Sequence, residues 1–341
     1  PTPYFQSIVD YQFKDHEDHI EICKWMYIMI GRLIYQVAEL DNWQVMPFIK
    51  GIAGSGKSTL INDVANNIYD INDVGIIGNE SEGVFGPSAY FDKNIFIAPE
   101  IKKDFSLPQA LFQSMISGEA VSIPVKHKKA KNVSNWSPPG IMAGNEAPGY
   151  KDNAGSLGRR IVLFAFRKKV NKKDSDPQLP KKLKNEMAAT IKKCNLAYLD
   201  AVKRYGDKDI WPQLPSYFIA TKSSLAEQTN PLHNFLKSGK VRFGTGLYAP
   251  LAQFKAEFNS HCMENNLGRF TFNADFYENP FAEASENSNV ILKVQSKIRR
   301  KVEGRMKHGT FILGLEIKDE DDDESDDDDD VKEENPKRLK L

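Results

Sequence analysis

The segment Gly51-Ile52-Ala53-Gly54-Ser55-Gly56-Lys57-Ser58 decides how this sequence folds. It matches the pattern GxxxxGK[ST], in which glycines let backbone N–H groups turn inward around phosphate groups. A short apolar run, Val45–Ile49, precedes the segment, and the helical pattern of Thr59–Ile68 follows it. Because strand, loop and helix come in the order that the pattern requires, the sequence predicts a phosphate-binding loop.

The loop predicts a bound nucleotide and a magnesium ion. Lys57 is expected to reach the β- and γ-phosphates, and the Ser58 hydroxyl is expected to bind Mg²⁺. For Thr59, starting the helix is an alternative to a metal contact. ATP is favoured over GTP because no NKxD pattern follows. The predicted nucleotide contacts are Gly51, Ile52, Ala53, Gly54, Ser55, Gly56, Lys57, Ser58 and Thr59.

Three further apolar runs predict a covered, mostly parallel sheet and hence the α/β class: 95–98, 140–143 and 161–166. Glu100 follows the first run, and we assign it to Mg²⁺ or to the attacking water; a surface carboxylate at a strand end is the alternative. Asn145 follows the second run and is assigned to orienting that water. A turn-forming asparagine is the competing interpretation.

A basic hairpin is predicted between these strands. Val121, Ile123 and Val125 alternate with other residues, and a turn of four lysines and one histidine follows at 126–131. Such a tip can grip the backbone of single-stranded DNA without reading its sequence. A solvated lysine-rich turn is the alternative. The predicted DNA contacts are Lys126, His127, Lys128 and Lys129.

Together with Ser137-Pro138-Pro139-Gly140-Ile141 and Asn145, this hairpin resembles that of the superfamily 3 helicases of DNA viruses. The overall layout is most similar to the primase-helicases of nucleocytoplasmic large DNA viruses, of the poxvirus type. The resemblance implies an AAA+-like P-loop core, a homo-hexamer, 3′ to 5′ movement, and Lys126 with His127 as the DNA-contacting pair. It also implies a primase upstream, in line with a first residue that is not Met, and other replisome proteins as partners.

The same resemblance assigns an arginine finger to Leu157–Phe166. Arg160 matches that position, and it completes the predicted catalytic set of Lys57, Glu100, Asn145 and Arg160. Arg159 is either a second phosphate contact or a surface charge. The sequence departs from many family members at Pro99-Glu100, where they place two adjacent acids. The general base therefore stays open between Glu100, Asp92 and Asp104.

The net charge of 0 combines a basic body with an acidic tail. Residues 319–334 contain 13 acids, and without 319–341 the chain holds 42 basic and 33 acidic residues, which favours a nucleic-acid partner. In the last folded part, 251–265 is predicted as a helix, 289–303 as a basic helix and 308–317 as a strand pair. The predicted parts are 1–45, a helical leader or collar; 46–170, the ATPase domain; 171–228, a linker and helices; 229–317, a winged-helix-like domain; and 318–341, a disordered acidic tail with a basic end.

Other features exclude several protein classes. The most apolar stretch, Trp25–Gly31, is far shorter than the roughly 20 residues that span a bilayer, so no membrane segment is predicted. The three cysteines show neither a disulfide framework nor a zinc pattern, and an intracellular location is expected. The end, Pro336–Leu341, is either an import signal or merely basic, which leaves the host nucleus and a cytoplasmic replication factory as locations.

Two other functions remain open at this stage. One is a P-loop ATPase that packages or moves DNA, or remodels proteins, without unwinding. The other is a catalytically impaired nucleotide-binding scaffold for a primase, in which Pro99 marks a lost acid.

Overall fold

A computed structural model of the chain describes residues 1–78, 86–103, 105, 107–123, 130–150, 155–265, 270–302 and 304–318. The chain forms two compact units, Pro1–Thr229 and the part from Asn230 onward. Residues 126–129 of the predicted hairpin tip, Asp104, and the acidic tail from 319 with its basic end lie outside the described residues. The interpretations that depend on them stay predictions.

The first unit alternates strands and helices. Its elements are α1 (Pro3–Phe13), α2 (His19–Arg32), β1 (Met46–Gly51), β2 (Val74–Ile76), β3 (Ile95–Ile101), α3 (Gln109–Ser117), β4 (Val121–Ile123), β5 (Lys131–Val133), β6 (Gly140–Gly144), β7 (Ile161–Phe166), α4 (Leu179–Tyr205) and α5 (Ser216–Thr229).

Five of these strands form one parallel sheet in the order β2-β3-β6-β1-β7. The predicted α/β class and parallel sheet are confirmed, as are the three apolar strands; β2 was not predicted. Strands of a parallel sheet are covered on both faces and read as continuous apolar runs. Neighbouring residues of β1 show this, since Phe48 and Ile49 are both fully buried although they point to opposite faces.

Each face of the sheet carries its own core. On one side Ile49 packs in a cluster with Trp25 of α2 and Tyr198 of α4. On the other side Phe48 packs in a cluster with Phe112 of α3 and with Trp136. The sheet therefore lies between two helical layers and holds the carboxyl ends of β3, β6 and β1 along one edge.

A buried ion pair ties the helical layer to β1. The Arg32 guanidinium donates from Nε to Asp41 at 2.7 Å and from a terminal nitrogen to the Val45 carbonyl at 2.8 Å. The Tyr198 hydroxyl donates to the same carboxylate at 2.6 Å. Because α2, α4 and Val45, the residue just before β1, all contribute to this network, it fixes the start of the strand that leads into the loop.

The segment after the loop begins as a π-helix, in which backbone hydrogen bonds join residues five positions apart. Thr59–Val64 is a π-helix, and Ala65–Asn67 continues it as a 3₁₀ turn. The predicted helix at 59–68 is therefore irregular, and π-helical turns are often found at functional sites. Downstream, the part predicted as a linker and helices, 171–228, becomes helical at Leu179, and Gly206 follows the end of α4.

The second unit packs three helices and a three-stranded antiparallel sheet around phenylalanines, among them Phe235, Phe254 and Phe258. Its elements are α6 (Pro231–Lys237), β8 (Val241–Pro250), α7 (Leu251–Glu264), α8 (Ala274–Ser288), β9 (Lys293–Val302) and β10 (Arg305–Ile317), and the sheet order is β8-β10-β9. The helix predicted at 251–265 is confirmed.

The basic helix predicted at 289–303 is wrong, because β9 occupies its place. Val294, Ile298 and Val302 recur every four residues, a spacing that fits the two-residue alternation of a strand as well as the turn of a helix, and β-branched side chains favour strands. Lys297 has a φ of +59°, which marks an irregularity in this strand. The predicted strand pair at 308–317 is the single long strand β10. Among the described residues, no helix combines the length and apolar character needed to cross a membrane.

Candidate active site

The loop 51–58 leaves the carboxyl end of β1 and passes into the π-helical turn. Gly54 and Gly56 have φ values of +75° and +93°, which other residues rarely adopt. Gly51 has a different constraint, because a Cβ there would lie 2.1 Å from the Phe166 carbonyl oxygen of β7. The glycines are therefore needed for the path of the loop and for its close approach to β7.

Gln12 of α1 holds the loop from the side. Its Nε2 donates to the Ser55 carbonyl at 3.0 Å and to the Lys168 carbonyl at 2.7 Å, and its Oε1 accepts from the Lys168 N–H at 2.9 Å. The Val170 N–H donates to the Gly54 carbonyl at 2.8 Å. The segment after β7 and the leader helix thus support the loop, and sequence reasoning missed Gln12 because its partners are remote in the chain.

Three predicted catalytic residues come together at this edge of the sheet. The Lys57 ammonium donates to the Asn145 Oδ1 and to the Ile52 carbonyl, both at 2.8 Å. Burial lowers the pKa of Lys57, and the nearby Glu100 carboxylate opposes that shift. A cation, an amide and a carboxylate therefore share one site beside a glycine-rich loop.

A bulge in β3 explains how Glu100 reaches this site. Pairing with β6 shifts register between Ala98 and Ile101, and Pro99 and Glu100 lie within that shift. Proline has no N–H to give to a sheet, so it favours such an irregularity. Glu100 is exposed there rather than buried in the sheet. Asp92, an alternative base, precedes β3 and so lies toward the opposite edge.

A cavity of about 490 Å³ opens beside the loop. Ser55, Lys57, Ser58 and Thr59 line one part of it. The other walls come from Ser7, Ile8 and Tyr11 of α1 and from 170–180, including Val170, Leu179 and Pro180. The size lies in the range of ligand pockets. The wall from 170–180 is mixed, since it also carries Asp174, Ser175 and Asp176. No sequence motif indicates this α1 wall.

Ser55 has a buried hydroxyl at the polar end of the cavity. It is 2% exposed, and within the described part of the chain its hydroxyl has no hydrogen-bond partner. A buried hydroxyl without a partner costs free energy that a bound acceptor would recover. Ser58 is exposed on the same cavity. Its hydroxyl and the Glu100 carboxylate are hard oxygen groups of the kind that Mg²⁺ prefers.

The fourth predicted catalytic residue lies elsewhere. Arg160 precedes β7 directly, whereas the loop follows β1, and the register pairs Met46 with Ile161 and Gly51 with Phe166. The two ends of these parallel strands are separated by roughly 16 Å at about 3.3 Å per residue. Arg160 and Lys57 therefore do not meet within one chain.

The two arginines at this opposite edge differ in exposure. Arg160 is 6% exposed, and its guanidinium donates to the Ser156 carbonyl at 2.8 Å and to the Ser117 hydroxyl at 3.2 Å. Arg159 is exposed, and its carbonyl accepts from the Trp211 indole at 2.7 Å. Arg159 is thus the more accessible of the pair.

The stem of the predicted hairpin is present. β4 and β5 pair antiparallel, with Val121 opposite Val133 and Ile123 opposite Lys131. Lys131 lies with its ammonium 4.0 Å from the centre of the Phe91 ring. The four predicted DNA contacts, Lys126, His127, Lys128 and Lys129, lie outside the described residues, so their role remains a prediction.

One group of metal-ligand side chains occurs away from the loop cavity. Asp10, His19 and Cys23 place an oxygen, a nitrogen and a sulfur atom within 4.8 Å of one another. The His19 ring nitrogen and the Gln6 amide both lie 2.8 Å from the same Asp10 oxygen. These hydrogen bonds join α1 to α2 and account for the cluster without a metal.

Comparisons with known proteins give one family match and several similar solved structures. A family described as of unknown function, DUF5906, matches residues 49–160. The apo structure of the NrS-1 C-terminal region is 13% identical over 92% of this chain and 76% of that chain, with a TM-score of 0.49. The X-ray structure of JCV helicase is 14% identical over 76% of this chain and 65% of that one, with a TM-score of 0.30. The matched family segment spans the loop, Glu100, the hairpin, Asn145 and both arginines.

Proposed function

We propose that this chain is an ATP-hydrolysing DNA helicase motor. The observation that carries the proposal is the bond from Lys57 to Asn145 at 2.8 Å, made beside a glycine-rich loop at the carboxyl edge of a parallel sheet. Ligands of open α/β sheets bind at that edge. A loop alone would fit kinases or switches, whereas a lysine, an amide and a carboxylate from three adjacent strands fit hydrolysis of a terminal phosphate.

Each residue has a role in this proposal. The loop N–H groups and the Ser55 hydroxyl hold the phosphates, and Lys57 leaves the Ile52 carbonyl to contact the β- and γ-phosphates. Ser58 and Glu100 hold Mg²⁺, which neutralises phosphate charge. Asn145 orients the attacking water, and Glu100 is the available base at this edge.

An arginine from a second copy completes the site. Arg159 and Arg160 precede β7, whereas the phosphate-binding loop follows β1, and these two strands are paired in parallel. Because the arginines and the loop lie at opposite ends of the pair, an arginine can reach a loop only between subunits. Head-to-tail contacts of this kind close into rings, and we propose a homo-hexamer. Exposed Arg159 is better placed to reach a neighbour than buried Arg160, to which the finger was first assigned.

DNA is the proposed track. The β4–β5 stem carries a tip with Lys126, His127, Lys128 and Lys129, and six such tips would line the channel of a ring. Movement from 3′ to 5′, an upstream primase and a winged-helix role for the second unit belong to the same proposal. So does a location in the host nucleus or a cytoplasmic replication factory.

The test combines turnover with strand separation. The full chain is expected to hydrolyse ATP with Mg²⁺, to do so faster with single-stranded DNA, and to unwind a forked duplex. Lys57→Ala should abolish both activities and keep the melting temperature. Unchanged hydrolysis in that variant would overturn the assignment.

Two other results would select the remaining functions. DNA-stimulated hydrolysis without unwinding of any fork favours a packaging or remodelling ATPase. Tight ATP binding without turnover favours the scaffold, and Pro99 in the β3 bulge is the feature that points to it.

A further inference from the structure

The outer half of β9 and β10 is a two-stranded ribbon. β10 pairs with β8 only from Phe311 onward, whereas its pairs with β9 run on to Arg305 opposite Val302. The stretch from Ile298 to Val302 against Arg305 to Gly309 extends over roughly 15 Å. We call this stretch, with Lys297, the basic ribbon.

The basic ribbon is dense in positive charge. Between 293 and 317 the only acids are Glu303 and Glu316. The lysines and arginines of the ribbon are Lys297, Arg299, Arg300, Lys301, Arg305 and Lys307. Arg300 is half-buried, and the other five are exposed.

The pairing places like charges opposite each other. Lys307 faces Arg300. Cross-strand pairs of like charge destabilise a sheet by a few tenths of a kcal/mol up to about 1 kcal/mol each. A polyanion lying along the ribbon would remove this cost, because it supplies the opposite charge to both strands.

Tyr248 of β8 braces the ribbon. Its hydroxyl donates to the Lys301 carbonyl at 2.7 Å, and the Arg300 guanidinium lies 5.5 Å from its ring centre. At Lys297 the positive φ and the nearby change of register re-aim the strand. The cations are therefore presented from a supported backbone rather than from a loose loop.

We propose that the basic ribbon binds the phosphate backbone of duplex DNA. Single-strand binding proteins stack bases on exposed aromatic rings, and the ribbon sequence from 297 to 310 contains no aromatic ring besides His308. A two-stranded ribbon also fits the major groove, where its two edges face phosphates of both strands. This site is separate from the hairpin of the first unit and would hold the unopened part of a fork.

The test compares two triple variants of the full chain with equal loss of charge. Arg299→Gln/Lys301→Gln/Lys307→Gln neutralises the ribbon. Lys184→Gln/Lys192→Gln/Lys203→Gln neutralises three exposed lysines of α4. Fluorescence anisotropy measures binding to a blunt 20-base-pair duplex and to an oligo-dT of 20 nucleotides, without nucleotide, over a series of salt concentrations.

The ribbon variant should bind the duplex at least about tenfold more weakly, with a salt dependence reduced by about 0.9 per lost phosphate contact. The α4 variant should stay within about twofold of the parent chain, and oligo-dT binding should change little in both. Equal losses in both variants, or a loss confined to oligo-dT, would overturn the proposal. ATP turnover without DNA is measured in parallel and should be unchanged, so failure here is distinct from failure of the motor assignment.

Discussion

Lys57 and Asn145, which lie 88 positions apart in the chain, are joined by a 2.8 Å hydrogen bond across neighbouring strands. β1 and β6 are parallel, and the register sets Lys50 opposite Gly144, so both residues emerge from the same edge. Asn145 thus accepts from the cation that is proposed to contact phosphate. In the proposed function its amide changes partner when a nucleotide arrives and senses the γ-phosphate.

Replacing Asn145 should separate turnover from binding. In Asn145→Ala the water loses its orienting group, and we expect kcat to fall by about 10²–10³-fold, the usual loss for one polar contact of a transition state. The KM for ATP should change little. Steady-state ATPase kinetics with DNA measure both values.

Two further variants sharpen that result. Asn145→Asp places a carboxylate against Lys57, holds the ammonium away from phosphate, and should raise KM as well. Asn72→Ala, at an exposed asparagine before β2, should behave as the parent chain does. Parental kcat in Asn145→Ala would contradict the assigned role.

Gln12 should control the shape of the loop. Gln12→Leu removes the hydrogen bonds that hold the Ser55 carbonyl and both backbone groups of Lys168. A loosened loop presents its N–H groups poorly, so we expect the Kd for ATP to rise about tenfold, in keeping with the cost of small misplacements. Binding of a fluorescent ATP analogue measures it.

The matched control for Gln12 is Gln6→Leu. Gln6 lies on the same helix, but its side chain bonds Asp10 and Tyr27 rather than the loop. Similar losses of ATP affinity in both variants would show that helix α1 acts only through its overall stability.

The sheet was predictable because the apolar composition of its strands reflects their burial on both faces. Ile95–Ala98 and Ile161–Phe166 are apolar throughout, as strands covered on both faces must be. The loop was predictable because Gly54 and Gly56 serve a backbone need that few other residues meet. Both features depend on residues within one short segment, so a short stretch of sequence is enough to predict them.

The remaining features depend on distant partners. Two adjacent arginines look alike in sequence, and only the positions of Ser117 and Ser156 decide that Arg160 is the buried one. Apolar residues spaced four apart in β9 fit a helix and a strand equally, and pairing with β10 decides for the strand. The α1 wall of the cavity has no sequence motif, because its residues reach the loop only through the tertiary packing of α1.

The buried pair of Arg32 and Asp41 should dominate the stability of the first unit. Asp41→Asn leaves a guanidinium without its counter-charge, which typically costs about 3–5 kcal/mol in free energy of unfolding. Asp200→Asn is the matched control, because the Arg204–Asp200 pair is exposed, and it should cost no more than about 0.5 kcal/mol. Urea unfolding at pH 7 measures both.

The effect of Asp41 should also depend on pH. Burial raises the pKa of this carboxyl, but the Arg32 charge and several hydrogen bonds outweigh that, so the pKa lies below its ordinary value. A lowered pKa gives stability that is present above the unfolded value of about 3.9 and is lost as pH falls through the folded value. The difference between the parent chain and Asp41→Asn should therefore shrink in strong acid. A difference that stays constant from pH 7 to pH 2 would contradict this account.

Replacing Arg159 should reduce ATP turnover, whereas replacing Arg160 should reduce stability. Arg160→Ala removes a buried guanidinium bonded to Ser117 and Ser156, and the melting temperature should fall by several degrees, at about 1 kcal/mol or more. Arg159→Ala should leave the melting temperature unchanged and reduce turnover by about 10³-fold or more, as expected for loss of an arginine that stabilises phosphoryl transfer.

Mixing subunits tests whether Arg159 acts on a neighbouring loop. Lys57→Ala and Arg159→Ala chains should each be inactive, but a mixed ring regains a working site wherever the intact loop of one chain meets the intact arginine of the other. At equal amounts and random assembly this occurs at about a quarter of the interfaces, so turnover should recover toward that fraction of the parent value. An arginine acting within its own chain would give no recovery, because neither variant then contains a complete site; recovery with Arg160→Ala but not with Arg159→Ala would return the finger to Arg160.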